Sequence, residues 1–160
     1  MAGPAGQGEF EIVSLNVSSR MGTRKSPILR ASFAVGRGIE GDAHAGVLED
    51  RQVSLLAVEE IEAASAACAE ASPGAPPLAP GDFAENVTTR GVILHELPLG
   101  TRLYLGTAEL EISKIGKECH AACEIRRLVG DCVMPRRGVF ARVLRAGEAG
   151  VADRCRYGLR

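Results

Sequence analysis

The densest group of reactive side chains is Lys117-Glu118-Cys119-His120-Ala121-Ala122-Cys123. On a helix, Cys119 and Cys123 stand four residues apart and share a face. Two thiolates and an imidazole suit Zn²⁺ or another thiophilic metal. The C-H-x-x-C spacing is not a usual zinc pattern, however, and Cys132 is the one further cysteine close by. A catalytic or carrier thiol fits the setting better. Lys117, His120, Arg126 and Arg127 surround Cys119 with positive charge, which favours the thiolate. Cys119 is then the nucleophile and Cys123 a resolving thiol. Cys68, on the apolar side of an expected helix, and Cys155, in a terminal strand, read as small buried hydrophobes.

Three further clusters carry polar chemistry. In Gly38-Ile39-Glu40-Gly41-Asp42-Ala43-His44, Gly41 permits positive φ or close backbone approach, and Asp42 and His44 can orient a ligand or each other. In Pro80-Gly81-Asp82-Phe83-Ala84-Glu85-Asn86, Glu85 and Asn86 stand at the start of a strand, where polar side chains bond a neighbouring loop. Arg136-Arg137-Gly138 follows Pro135, and two arginines on such a turn can grip a phosphate or carboxylate. An exposed loop or charged turn explains each cluster equally simply. The chain contains no Walker loop, dinucleotide fingerprint, nucleophile elbow or HExxH motif, so the commonest nucleotide, hydrolase and metalloprotease readings fall away.

The elements that must position these residues are mostly short strands. Alternation predicts strands at 9–17, 31–35, 52–57, 85–89, 102–106, 108–115, 139–144 and 152–156. Gly106-Thr107 is expected to join two of them in a tight hairpin. Val58, Ile61, Ala64, Ala67 and Cys68 recur at helical spacing, with Glu59, Glu60 and Glu62 in the first turns, where acids suit the helix dipole. Residues 119–128 can form one or two further helical turns. Residues 19–27, 36–46 and 72–81 read as loops. The expected fold class is mainly β: an irregular barrel of about seven or eight short strands, with one clear helix and a short helical segment. No repeat or linker divides the 160 residues, so one domain is expected, its core over about 10–158.

Composition agrees. Gly and Pro are frequent, aromatics make up only 4%, and apolar residues make up 46%. The core must therefore be built from Val, Leu, Ile and Ala. The net charge of −1 predicts no general attraction to nucleic acid, and no apolar run is long enough for a membrane span. Residues 101–160 carry 12 basic and 7 acidic side chains, which offers a locally basic surface for an anionic ligand. The first residues lack the basic and apolar regions of a secretory signal, and the five cysteines are odd in number. Free thiols in a reducing cytoplasm are expected.

Taken in order, Gly41-Asp-Ala-His-Ala-Gly46, Arg51-Gln-Val-Ser-Leu-Leu56, Pro80-Gly-Asp-Phe-Ala-Glu-Asn-Val-Thr-Thr89, Leu97-Pro-Leu-Gly-Thr-Arg-Leu103, Gly116-Lys-Glu-Cys-His120 and Arg137-Gly-Val-Phe-Ala-Arg-Val143 resemble the MOSC domain family. That domain ends the molybdenum cofactor sulfurases and also occurs as small stand-alone proteins. The resemblance implies a barrel-like domain with a cysteine that carries sulfur or binds molybdenum, and Cys119 matches that cysteine. It further implies that Lys25, Asp42, His44, Arg51, Glu85 and Asn86 line a pocket for the molybdenum cofactor (molybdopterin). Arg and Lys side chains, Arg137 among them, would grip the pterin phosphate. Longer members carry an extra N-terminal barrel-like region or an aminotransferase-like domain. This chain has neither, so pyridoxal phosphate is not expected.

Three functions follow as expectations. The first is a cofactor-handling protein that binds molybdenum cofactor or a precursor, with Cys119 as metal ligand or persulfide carrier. The second is a thiol-based sulfur-transfer or redox enzyme using Cys119, Cys123 and His120. The third is a non-catalytic module that delivers cofactor. The expected partners are the cofactor or its precursor and a molybdoenzyme or sulfur-donor protein.

Overall fold

The computed structural model describes residues 6–118 and 132–159. Strand β1 (Gln7–Val17) shows the alternation expected of it, with Phe10 and Ile12 inward and Glu9 and Glu11 outward. Its register shifts between Ile12 and Ser14, and beyond the shift Ser14, Leu15 and Asn16 are all buried. Such an irregularity bends a strand and re-aims its side chains. Here it turns two polar residues toward the loops that carry the candidate site.

β1 is joined by β2 (Ser26–Ile28), β5 (Val53–Ala57), β6 (Val87–Arg90), β7 (Arg102–Leu105), β8 (Ala108–Ile115), β9 (Val139–Arg145) and β11 (Arg154–Gly158) in one sheet. The order is β11-β7-β8-β9-β5-β6-β1-β2, and β1 pairs again with β11. That pairing closes a seven-stranded barrel, which leaves β2 as an outlying strand on β1. Closure removes the exposed edges that would otherwise template aggregation. Gly106 and Thr107 form the two-residue turn between β7 and β8, where Leu105 faces Ala108.

β5 and β6 run parallel. Parallel neighbours need a crossover connection, which helix α1 (Val58–Ala71) and the loop after it provide. Every residue of β5 is buried, because one face meets the barrel interior and the other a second apolar layer. Val53 and Leu55 belong to the barrel core with Leu15, Val87, Leu103, Leu110 and Val139. Leu56 belongs to the second cluster, with Ile61, Phe83, Cys132, Met134 and Phe140. In α1 only Val58 and Ile61 are fully buried. Cys68 is half-buried, so the apolar stripe expected to cover it fades after the second turn.

A separate three-stranded sheet, β10-β3-β4, is built from β3 (Arg30–Ala34), β4 (Gly38–Ile39) and β10 (Gly147–Gly150). Its Ala31, Phe33, Ile39 and Ala149 complete the main core. A 3-10 turn (Leu94–Glu96) and a short helix α2 (Met134–Arg137) complete the elements among the described residues.

The fold class is as expected, with three additional strands. β2 lies partly in the predicted 19–27 loop, β4 lies in the predicted 36–46 loop, and β10 had no prediction. Each is too short or too glycine-rich to show alternation. The short helical segment expected at 119–128 lies outside the described residues.

Candidate functional site

The loops around the start of β5 and β6 enclose a cavity of about 390 Å³. Met21, Val47, Leu48, Phe83, Met134 and Phe140 give it an apolar wall. His44, Arg51, Ser54, Asn86 and Lys117 supply polar groups. The volume and the mixture of apolar wall and few polar groups match small-molecule sites. Met21, Val47 and Leu48 are about half exposed, so apolar surface extends onto the rim.

Behind His44 sits a buried ion pair. Lys25 and Asp42 are closed off from solvent, and Lys25 Nζ lies 2.7 Å from Asp42 Oδ1. Lys25 also donates to Ser18 Oγ at 3.0 Å and contacts His44 Nδ1 at 3.1 Å. Asp42 accepts the backbone N–H of Ser18 at Oδ1 and that of His44 at Oδ2. Burial alone would raise the Asp42 pKa. The Lys25 hydrogen bond and charge and the backbone N–H groups of Ser18 and His44 outweigh it and hold the carboxylate well below its usual range. Asp42 therefore fixes the loop that carries His44, rather than reaching a ligand itself.

Asn86 lies at the cavity, but its amide is largely committed. Oδ1 accepts from Ser54 N at 3.0 Å and Ser54 Oγ at 3.1 Å, and Nδ2 donates to the Asn16 carbonyl at 3.1 Å. It clasps β5 and β1 together at the cavity floor. Asn16 in turn donates to the Glu85 carbonyl and to Thr88 Oγ1. Glu85 is fully buried. Its Oε2 accepts from Gly81 N at 2.9 Å and Thr88 Oγ1 at 2.7 Å, while Oε1 has no partner. Burial pushes the Glu85 carboxyl above its ordinary value, against the opposing effect of these hydrogen bonds. Glu85 thus secures the Gly81 loop rather than lining the cavity.

Arg51 is the cation built into the wall. Its guanidinium stands 5.8 Å from the Phe140 ring centroid, and its buried Nε has no partner. A buried donor without an acceptor is costly, and an anionic oxygen in the cavity would relieve it. Lys117 is the second lining cation. Gly41 lies on the exposed side of the Asp42 loop, with φ +88° and open space where a Cβ would stand. Conformation is what requires glycine there, not close approach.

Arg137 does not line the cavity. It is exposed, and its Nη1 bonds His95 Nε2 on the 3-10 turn. Four of the twelve basic side chains of residues 101–160 are paired with acids. Arg102 pairs with Glu109 and Glu111, Arg142 with Glu49 and Glu111, Arg145 with Glu109, and Arg154 with Glu9. Cross-strand pairing between neighbouring strands spends these charges on one another. Cys119, His120 and Cys123 lie outside the described residues, although Lys117 and Cys132, on either side of that segment, both line the cavity. Among the described residues, no group of three or more His, Cys, Asp or Glu could hold a metal ion.

The MOSC domain family model matches residues 40–156. The chain belongs to the MOSC domain family. That family is associated with the molybdenum cofactor sulfurases. The fold is shared with solved structures. The YUAD protein from Bacillus subtilis superposes with a TM-score of 0.77 at 18% identity, covering 96% of this chain and 98% of that one. YiiM from Escherichia coli gives 0.69 at 16% identity, over 96% and 71% of the two chains. YiiM from Geobacillus stearothermophilus gives 0.63 at 20%, over 89% and 72%. A sequence comparison with curated proteins gives no match. No helix among the described residues is long and apolar enough to cross a membrane.

The apolar wall was the part that sequence reasoning missed. Met21, Leu48, Phe83, Met134 and Phe140 come from four separate segments with no shared spacing. Half-exposed Met21, Val47 and Leu48 in otherwise polar loops were the available signal.

Proposed function

We propose that this MOSC domain binds molybdenum cofactor, or its pterin precursor, in the cavity beside Arg51, and that Cys119 is the ligand or sulfur carrier. The observation that carries this reading is the buried, unpartnered Arg51 Nε in a cavity of suitable size. The donor set fits the group. Arg51 and Lys117 would hold anionic oxygens of the pterin phosphate, and Phe83, Met134 and Phe140 would exclude water from its flat apolar faces. Cys119 follows Lys117 by two residues in the sequence, and Lys117 lines the cavity. A soft thiolate suits molybdenum. When bound, the cofactor would supply oxygen- or sulfur-atom transfer chemistry.

The chain's own residues have simpler tasks. Lys25 and Asp42 hold the His44 loop, and Asn86 and Glu85 hold the floor. Lys117 favours the Cys119 thiolate by its charge. As a carrier, that thiolate would attack the outer sulfur of a donor persulfide. The S–S bond breaks, the donor leaves as thiolate, and Cys119 holds the transferred sulfur.

The experiment is to mix purified protein with released molybdenum cofactor, remove excess and measure bound molybdenum. Wild type is expected to retain metal and Cys119→Ser to lose it. Equal retention by both removes the ligand role. Mass spectrometry after exposure to a persulfide donor tests the carrier role, with a gain of one sulfur on Cys119 expected.

A further inference from the structure

We infer that Lys25 fixes the tautomer of His44, so that the ring presents an Nε2–H donor to the cavity and recognises an anionic oxygen of the ligand there. His44 is therefore neither a metal ligand nor a general base. This deepens the reading of the cavity as a ligand site and rests on it.

Donor counting at Lys25 fixes the ring. The Lys25 ammonium has three protons and no acceptor. It has three partners in the buried pocket: Asp42 Oδ1 at 2.7 Å, Ser18 Oγ at 3.0 Å and His44 Nδ1 at 3.1 Å. Ser18 Oγ donates its own proton to the Arg20 carbonyl, so it must accept from Lys25. Asp42 is held ionised and can only accept. The third ammonium proton is left for His44 Nδ1, which must offer a lone pair. The other possible partner of Nδ1, Asp42 Oδ2, is 3.6 Å away and already accepts the His44 backbone N–H. A proton on Nδ1 would face an ammonium proton in a site closed to water.

With Nδ1 as acceptor, the neutral ring carries its proton on Nε2. The His44 side chain is 31% exposed and lines the cavity, and no described residue partners Nε2. Metal-binding histidines show the opposite arrangement, in which the second ring nitrogen donates to a carboxylate or carbonyl and frees the first for the metal. Here the second nitrogen accepts from a cation. A metal on Nε2 would demand a proton at the place Lys25 already occupies. Lys25 is thus a positioning residue that acts through His44. With Arg51 on the same cavity, the donor set selects an oxyanion.

The test is ¹⁵N-detected NMR of the full-length protein without cofactor, so it does not depend on cofactor binding. The three histidines are assigned by His95→Gln and His120→Gln variants. His44 is expected to show an unprotonated Nδ1 and a protonated Nε2, with at least about a tenfold excess of that tautomer, from the strength of a charge-assisted buried hydrogen bond. A proton on Nδ1, or an even mixture, overturns the inference. Ser18→Ala, which keeps the Lys25–His44 contact, is expected to leave the tautomer unchanged, and Lys25→Met to collapse the excess. If Lys25→Met does not fold, the wild-type spectrum still decides. Titration with inorganic phosphate is expected to shift Nε2 while Nδ1 stays unprotonated. Titration with Zn²⁺ is expected to leave Nε2 protonated, and a metal-bound Nε2 signal contradicts the inference.

Discussion

Replacing Asn86 with alanine separates a frame residue from a ligand residue. The amide satisfies Ser54 N, Ser54 Oγ and the Asn16 carbonyl at 3.0–3.1 Å, all buried. Ser54 Oγ keeps a weaker alternative in the Ala84 carbonyl at 3.4 Å. Alanine therefore strands two backbone groups, one N–H and one C=O. Each buried unsatisfied group costs about 1–3 kcal/mol, so the loss is about 2–6 kcal/mol. That is a large share of the 5–15 kcal/mol typical of a domain. With a urea slope of about 2 kcal/mol/M, the unfolding midpoint should fall by about 1–3 M at constant slope. Asn86→Asp should fare no better, because a carboxylate oxygen would then face the Asn16 carbonyl. The assay is equilibrium urea unfolding followed by circular dichroism. A midpoint within about 0.3 M of wild type would refute the assignment of Asn86 to the frame and return it to the ligand set.

Three other outcomes follow from local geometry. Glu85 has a folded pKa raised above its ordinary 4.5, so its contribution to stability is present in full below that value and is lost as pH rises. Urea midpoints of Glu85→Gln should therefore gain on wild type between pH 4 and pH 7, and a pH-independent difference would contradict this. Gly81→Ala should destabilise by several times more than Gly41→Ala, measured by thermal unfolding. A Cβ at Gly81 would stand 2.3 Å from the Lys25 carbonyl oxygen, whereas at Gly41 only the left-handed backbone, about 1–2 kcal/mol, opposes it. Burial and the nearby Asp153 carboxylate push the Cys155 thiol up to about 12. Iodoacetamide at pH 8 should spare Cys155 in the folded protein and label it in urea, as read by peptide mass spectrometry; equal labelling in both would show the strand to be open.

Much of the barrel was legible because alternation and hairpin chemistry are local. Phe10 and Ile12 against Glu9 and Glu11, and Gly106-Thr107 between two strands, announce themselves within a few residues. Of the β3–β4–β10 sheet only β3 did, because Gly38-Ile39 is two residues long and Gly147–Gly150 begins and ends in glycine. The Asp42–His44 and Glu85–Asn86 clusters stood out as polar residues in glycine-rich loops, yet three of these four side chains brace the frame. Whether a polar side chain faces a ligand or a neighbouring loop depends on long-range partners such as Lys25, 17 residues from Asp42, or Asn16, 70 from Asn86. Spacing carries no trace of those. Lys25 and Arg51 show no local pattern and entered only through the family resemblance. The partners of Arg102, Arg142, Arg145 and Arg154 were hidden for a related reason, since most lie on adjacent strands.

Affinity for the cofactor probes the role of Arg51, because among the described residues it is the one lining cation with a buried, unpartnered donor. Equilibrium binding of released molybdenum cofactor should be compared for wild type, Arg51→Met and, as a surface control, Arg145→Met. The expected result is saturable binding by wild type and by the control, with affinity lowered at least about tenfold in Arg51→Met, as the loss of one charge-assisted hydrogen bond requires. Wild-type affinity in Arg51→Met, or no binding by wild type, would contradict the account.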